Sequence, residues 1–183
     1  MRYPCQRANF RPSGDNEVVK LLNAHDKVYI STPYALCDYP SRLASFLLPQ
    51  PHLQARIDEL KSRFTRSTVG VHIRRTDNLI SVAESPVEAF RRAMNREIQH
   101  NFNTRFFLST DDETLKRTLV QQYSDRIITQ RTSVCRDTLE GMEEAVVDLW
   151  CLAGTCKLLG SYWSSFTDMA AELGGITPEI VRR

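Results

Sequence analysis

Three stretches of the chain place polar residues where an apolar run has just ended, and a fourth sets one carboxylate into an apolar helix face. The first is VGVHIRRTD, Val69 to Asp77, an apolar strand that stops abruptly in His72, Arg74, Arg75, Thr76 and Asp77. Side chains alternate along a strand, so His72 and Arg74 face one side, Ile73 and Arg75 the other. One arginine therefore leans toward the interior, where a lone charge is costly. An internal salt bridge with Asp77 would satisfy it. The other reading is a guanidinium placed to hold a diphosphate, which suits its planar, permanently charged fork of donors.

The second stretch is FLSTDDE, Phe107 to Glu113, at another strand end and opening a helix. Thr110 with Glu113 reads as a capping box, and Asp111 and Asp112 suit the positive helix terminus. The third, KLLGSYWSSFTDMAAELGG, Lys157 to Gly175, runs from a strand through two aromatics into Ser164, Ser165 and a helix. Ser165 with Asp168 fits an S-x-x-D cap, and a helix N-terminus facing a strand end is also an anion site. The fourth is Asp148, on a helix whose Ala145, Val146, Leu149, Leu152 and Ala153 are apolar. At the edge of a core this carboxylate needs a partner. A cap or salt bridge would serve; so would the pair of N–H donors on a guanine edge, which adenine does not offer in that arrangement.

Other chemistries are disfavoured. None of the seven glycines forms G-x-G-x-x-G or a P-loop, so phosphates would be held by side chains and a helix terminus. Asp111 and Asp112 are adjacent, without the D-x-D spacing of metal-dependent sugar transferases, and no divalent ion is implied. Cys5, Cys37, Cys135, Cys151 and Cys156 are odd in number and lack Cys-x-x-Cys spacing, which argues against a disulfide framework or a zinc site. Cys151 and Cys156 are expected as buried thiols in a reducing compartment.

Positioning these groups takes alternating strands and helices. Helices are expected over Asp15–His25, over a short stretch near Ser41–Leu48, and from Pro51 through Leu53, Ile57, Leu60 and Phe64, which recur at helical spacing. Further helices are expected over Pro86–His100, Glu113–Tyr123, Thr138–Ala153 and Phe166–Leu173. Strands are expected over Lys27–Ser31, Val69–Ile73, Arg105–Ser109, Arg126–Thr129 and Lys157–Ser161. Such alternation predicts an α/β fold, a mainly parallel, Rossmann-like sheet with helices on both faces, whose ligands bind beyond the carboxyl ends of the strands.

At 183 residues, 42% of them hydrophobic, the chain supports one good core. Its 24 basic and 22 acidic residues leave a formal charge of +2, too balanced for a nucleic-acid surface. No apolar stretch approaches the roughly 18 residues of a membrane span, and no signal-peptide core follows the basic N-terminus. A cytoplasmic protein is expected.

Together VGVHIRRTDN, FFLSTDDETLK and AVVDLWCLAGTCKLLGSYWSSFTDMAAELGG resemble the GDP-fucose-binding half of the α1,6-fucosyltransferase, NodZ-type and protein O-fucosyltransferase group, over about residues 68 to 175. The resemblance implies the C-terminal, nucleotide-binding half of a GT-B glycosyltransferase. It would be metal-independent and inverting, with GDP-fucose or a related GDP-sugar as donor, no cofactor, and a glycan or other acceptor. Carried over by motif, His72 and Asp148 would contact guanine, Arg74 the β-phosphate, and Ser164 and Ser165 the diphosphate. Arg75 and Asp77 would shape the pocket, and Asp111 or Asp112 would contact the nucleoside.

The motif RRTD is followed here by Asn78 to Glu84 rather than by the lysine and later acid of the α1,6 enzymes, so no general base is assigned. Residues 1–50 contain one glycine, Gly14, and lack the glycine-rich turn of the acceptor lobe. The expected organisation is a reduced N-terminal segment, 1–50, and a GDP-sugar-binding domain, 51–183, with the opposite cleft wall supplied by a missing lobe or another subunit. Three readings stand: a fucosyltransferase-like enzyme, a non-catalytic nucleotide-binding or interaction module, and a plain scaffold whose polar sites are caps and salt bridges.

Overall fold

Strands in this chain are short, apolar on both faces and separated by helical segments, which forces a parallel sheet covered on both sides. The computed structural model describes residues 20, 23–24, 47–130 and 137–183. Contacts divide the chain into two units, Met1–Ser41 and Arg42–Arg183, and every described strand belongs to the second. The helix expected over 15–25, the strand over 27–31 and the short helix over 41–48 lie outside the described residues, apart from Lys20, Asn23 and Ala24 in the first and Leu47 and Leu48 in the third. Leu47 and Leu48 are not helical.

The elements are α1 (Pro51–Lys61), β1 (Thr68–Ile73), α2 (Leu79–Glu84), α3 (Val87–His100), β2 (Arg105–Thr110), α4 (Glu113–Tyr123), a 3-10 turn (Ser124–Arg126), β3 (Ile127–Ile128), α5 (Leu139–Ala153), β4 (Lys157–Ser161), α6 (Ser165–Gly174) and β5 (Glu179–Val181). All five strands are parallel, in the order β3-β2-β1-β4-β5. The mainly parallel, Rossmann-like sheet read from the sequence is therefore present. Helix α1 stops three residues before Phe64, because Arg63 and Phe64 turn back with hydrogen bonds to Leu60 and Lys61, three residues behind each. Phe64 still packs on the core, its ring 5.6 Å from that of Phe107.

Alternation divides the core in two. Val69, Val71, Ile73, Phe106, Leu108 and Leu159 meet Phe90 and Met94 of α3 and Leu115 and Leu119 of α4 on one face. Phe107, Ile128 and Leu158 meet Ile57 of α1, Val147, Cys151 and Leu152 of α5, and Ala170 of α6 on the other. Phe90, Phe106 and Phe107 are fully buried, and each such ring contributes about 1.5–3 kcal/mol of burial. Cys151 lies in this core, its thiol pushed up to about 12 by burial. Cys156 is exposed, contrary to expectation, because it lies in the turn leading into β4.

Three elements escaped the sequence reading, the 3-10 turn, whose Arg126 was expected in the following strand, and α2 and β5. Six and three residues are too short for periodicity to declare, although Asn78 caps α2 by accepting the N–H of Ser81 at 3.0 Å.

Helix α6 sits unusually close to β4. A Cβ built on Gly160 would stand 2.2 Å from Cγ2 and 2.9 Å from Oγ1 of Thr167, a fully buried residue. Only hydrogen fits there, and that contact sets the height of α6 above the sheet. Gly160→Ala is expected to cost about 1–3 kcal/mol through overpacking, seen as a lower urea midpoint at unchanged m-value. A variant as stable as the parent would show that α6 is free to lift.

Candidate functional site

In sequence the strands run outward from β1 through β2 to β3, and the chain then crosses to the far side of β1 to add β4 and β5. The strand order therefore reverses between β1 and β4, and the crevice beyond their carboxyl ends is where open parallel sheets bind ligands. Ile73, Thr110 and Ser161 end β1, β2 and β4, each followed by one of the polar stretches singled out above.

The exit of β1 is held by side chains. The backbone N–H of Arg74 donates to Ser161 Oγ at 2.9 Å, and that of Arg75 to Asp111 Oδ1 at 2.6 Å. Asp111 Oδ2 accepts from Thr76 Oγ1 at 2.8 Å and from Thr76 N–H at 3.4 Å. Asp111 is thus an organiser of the Arg74–Thr76 loop, and its side chain is only 7% exposed. Asp112, not Thr110, caps α4 by accepting Leu115 N–H at 2.9 Å. The capping box expected of Thr110 and Glu113 is displaced because Thr110 is the last strand residue, and its hydroxyl accepts Asp112 N–H at 3.3 Å.

The two arginines part as alternation requires. Arg74 Nη2 donates to Asp77 Oδ2 at 2.7 Å, and its Nε lies 3.9 Å from Asp111 Oδ2, buried and without a hydrogen bond. The ion pair with Asp77 read from the sequence thus belongs to Arg74. Arg75 Nη1 reaches Val82 O of α2, on the other side, at 3.5 Å.

His72 is buried on the α5–α6 face. Its Nδ1 lies 2.8 Å from Thr167 Oγ1, and its ring packs 4.9 Å from that of Phe166. Gly160 makes this possible, since the same Thr167 rests on it. The N-cap of α6 is Ser164, so the S-x-x-D cap expected from Ser165 and Asp168 does not form: Ser165 is already the first helical residue and is exposed. Ser164 Oγ makes no cap bond, is buried and has no hydrogen-bond partner. An unsatisfied buried hydroxyl costs about 1–3 kcal/mol, so the N-cap of α6 carries a donor and acceptor that the fold itself leaves unserved. Trp163 just before it has a left-handed φ of 51°, held by Asn78 Nδ2 donating to its carbonyl at 2.9 Å.

Asp148 on α5 is served by neither a cap nor a salt bridge. Ser109 Oγ donates to its Oδ2 and Gln130 Nε2 to its Oδ1, each at 2.7 Å. Burial pushes the carboxyl above its usual range, an effect offset in part by those two bonds and by Lys116 and increased by Glu144. Ser109 pairs in register with His72, so Asp148 and His72 share one face at the ends of adjacent strands. Ser109, Gln130, Thr167 and Ser161 escaped the sequence reading. For Ser109 and Ser161 the only local signal was a small hydroxyl at or next to the end of an apolar strand; Gln130 and Thr167 gave none.

Among the described residues no three His, Cys, Asp or Glu side chains are grouped as metal ligands would be, and no helix is long and apolar enough to cross a membrane. A polar depression lined by Thr65, Arg66, Ser67, Asn101, Asn103 and Arg105 lies at the opposite, amino end of β1 and β2.

No protein-family model and no curated protein matches the sequence. Solved structures do. NodZ alpha-1,6-fucosyltransferase soaked with GDP-fucose superposes with a TM-score of 0.51 and 24% identity, over 68% of this chain and 42% of that one. The same enzyme co-crystallised with GDP gives 0.50 and 23%, over 66% and 41%. POFUT1 in complex with GDP gives 0.53 and 9%, over 76% and 48%. The chain spans less than half the length of each of these structures. What it shares with them is the Rossmann-like α/β fold of fucosyltransferases.

Proposed function

We propose that residues 51–183 bind GDP-fucose or a related GDP-sugar and form the nucleotide half of a metal-independent, inverting glycosyltransferase. The observation that carries this reading is unmet hydrogen-bonding capacity on both sides of the switch point. Ser164 Oγ at the N-terminus of α6 and Arg74 Nε at the end of β1 are both buried and unbonded. A positive helix end, a hydroxyl and a guanidinium together suit a diphosphate. The neighbours with this fold were crystallised with GDP or GDP-fucose.

Arg74, Ser164 and exposed Ser165 hold the diphosphate in this reading, with Asp77 and Arg75 framing the loop. His72 and Asp148 meet the base, and Asp111 and Asp112 act through the loop and helix they hold. The barrier to glycosyl transfer is charge developing on the departing GDP, and fixed positive charge at Arg74 and the helix end lowers it without covalent help from the protein. A glycan is the acceptor class. A second reading is a nucleotide-binding module without turnover.

Thermal shift against a nucleotide panel tests the site. At about 100 times their dissociation constants GDP and GDP-fucose are expected to add roughly 2.7 kcal/mol of stability, more than ADP, UDP or GMP at the same concentration, with or without manganese or magnesium. Equal responses to all, or a response abolished by a chelator, would overturn the assignment. Release of GDP with an acceptor panel separates enzyme from module.

Arg74→Lys keeps the charge and loses the fork. Transfer should fall about 10²- to 10³-fold, by analogy with removal of one preorganised donor, and GDP affinity with it. Stability should change little, because the pairing with half-exposed Asp77 is of the kind worth about 0–1 kcal/mol. Undiminished GDP binding with a melting temperature several degrees lower would make Arg74 structural.

Asp148 gives a pH signature. Its folded pKa is raised, so the folded state holds the proton more tightly, and its contribution to stability declines as pH rises from about 4 through the folded value. Asp148→Asn removes that term. Its stability relative to the parent, from urea titrations between pH 4 and 8, should therefore increase with pH; a constant difference would mean that the carboxyl titrates normally.

A further inference from the structure

Helix α5 carries two adjacent acids that face different surroundings. Glu143 meets α1, with His52 Nε2 3.0 Å from Oε1 and Arg56 Nη1 3.8 Å from Oε2. Glu144 is 4% exposed, and its Oε1 is buried with no hydrogen-bond partner. What is held at Glu144 is the main chain: Gln130 Nε2 donates to its carbonyl at 2.9 Å and the same nitrogen donates to Asp148 Oδ1. The other end of that amide accepts Arg56 Nη2 at 2.9 Å, so Gln130 cannot turn to serve the Glu144 carboxyl.

Position gives this orphan a direction. A helix linking two parallel strands of one sheet runs back antiparallel to them, so the N-terminal half of α5 lies at the carboxyl edge. Asp148 is level with Ser109, the last-but-one residue of β2. Glu144 is one turn, about 6 Å, nearer the N-terminus and on the same face, which places it beyond the strand ends where the ligand is bound. Among the described residues, the charged groups acting on Asp148 are Lys116 of α4, whose field lowers its pKa, and Glu144, which raises it.

Both Asp148 oxygens already hold a donor. A guanine edge presents three N–H hydrogens, one on N1 and two on the 2-amino group, more than a carboxylate so engaged readily takes. We propose that Glu144 is a specificity-determining residue that accepts a hydrogen bond from the guanine 2-amino group, with Ser109 and Gln130 fixing Asp148 beside it. This rests on the GDP-sugar reading.

Inosine diphosphate, which lacks only that amino group, is the probe. By calorimetry the parent should prefer GDP over inosine diphosphate, and Glu144→Gln, whose amide oxygen accepts without the charge, should reduce the preference about five- to ten-fold, the difference between a charge-assisted and a neutral hydrogen bond. Glu143→Gln should leave it unchanged. Glu144→Asp, which withdraws the carboxylate while keeping its charge, should also lower the ratio and serves if Glu144→Gln does not fold. A parent that binds neither nucleotide fails the functional reading and this one together. A parent that prefers GDP while the folded Glu144 variants keep the full ratio overturns Glu144 alone, as would an equal loss in Glu143→Gln.

Discussion

Where β1 ends, the backbone leaves the sheet between two neighbours and three successive N–H groups lose their ladder partners at once. Buried N–H groups must be bonded, and no glycine-rich turn is present to fold the chain back on itself. Ser161 at the end of β4 takes the N–H of Arg74, and the single carboxylate of Asp111 at the end of β2 takes those of Arg75 and Thr76. The loop bearing both arginines is therefore suspended between its two neighbouring strands. Register among β1, β2 and β4, and hence the whole arrangement of the crevice, is tied to these bonds.

That suspension divides the acids by role. Asp111 and Asp112 look interchangeable in the sequence, yet one is committed to the β1 loop and the other to the first turn of α4. Asp148 and Glu144 share a helix face one turn apart, yet Asp148 receives two neutral donors while Glu144 Oε1 receives none. Burial raises the Asp148 pKa, and the two neutral donors offset that only in part, because each favours the charged carboxylate.

The layers of the fold were legible because they are local. Strands over 68–73, 105–110 and 157–161 and helices over 87–100, 113–123 and 139–153 follow from runs and periodicities contained within each segment. Side-chain partnership was not legible in the same way. Thr110 and Glu113 have capping-box spacing, but β2 runs one residue longer than expected and shifts the cap to Asp112. Ser165 and Asp168 fail although β4 ends where expected, because α6 begins one residue earlier, with Ser164 as N-cap. A one-residue offset is within what periodicity leaves open, and it decides which side chain is spent on the backbone. The partners of Asp148 lie 39 and 18 residues away, so only the sheet order brings them together.

The state of Arg74 follows from the unequal burial of its two acids. Asp111 is 7% exposed and already committed to three donors, whereas Asp77 is 55% exposed and lies 2.7 Å from the Arg74 guanidinium. An arriving anion would meet a guanidinium whose Nε is buried and unbonded and whose Nη2 is held by a solvated carboxylate. Exchanging that partner costs little, because a carboxylate that is half in water recovers its hydration on release. Exchanging Asp111 would free two backbone N–H groups and a hydroxyl at the strand end. Such an anion would therefore displace Asp77 and leave Asp111, so the β1 loop would keep its shape while the guanidinium changed partners.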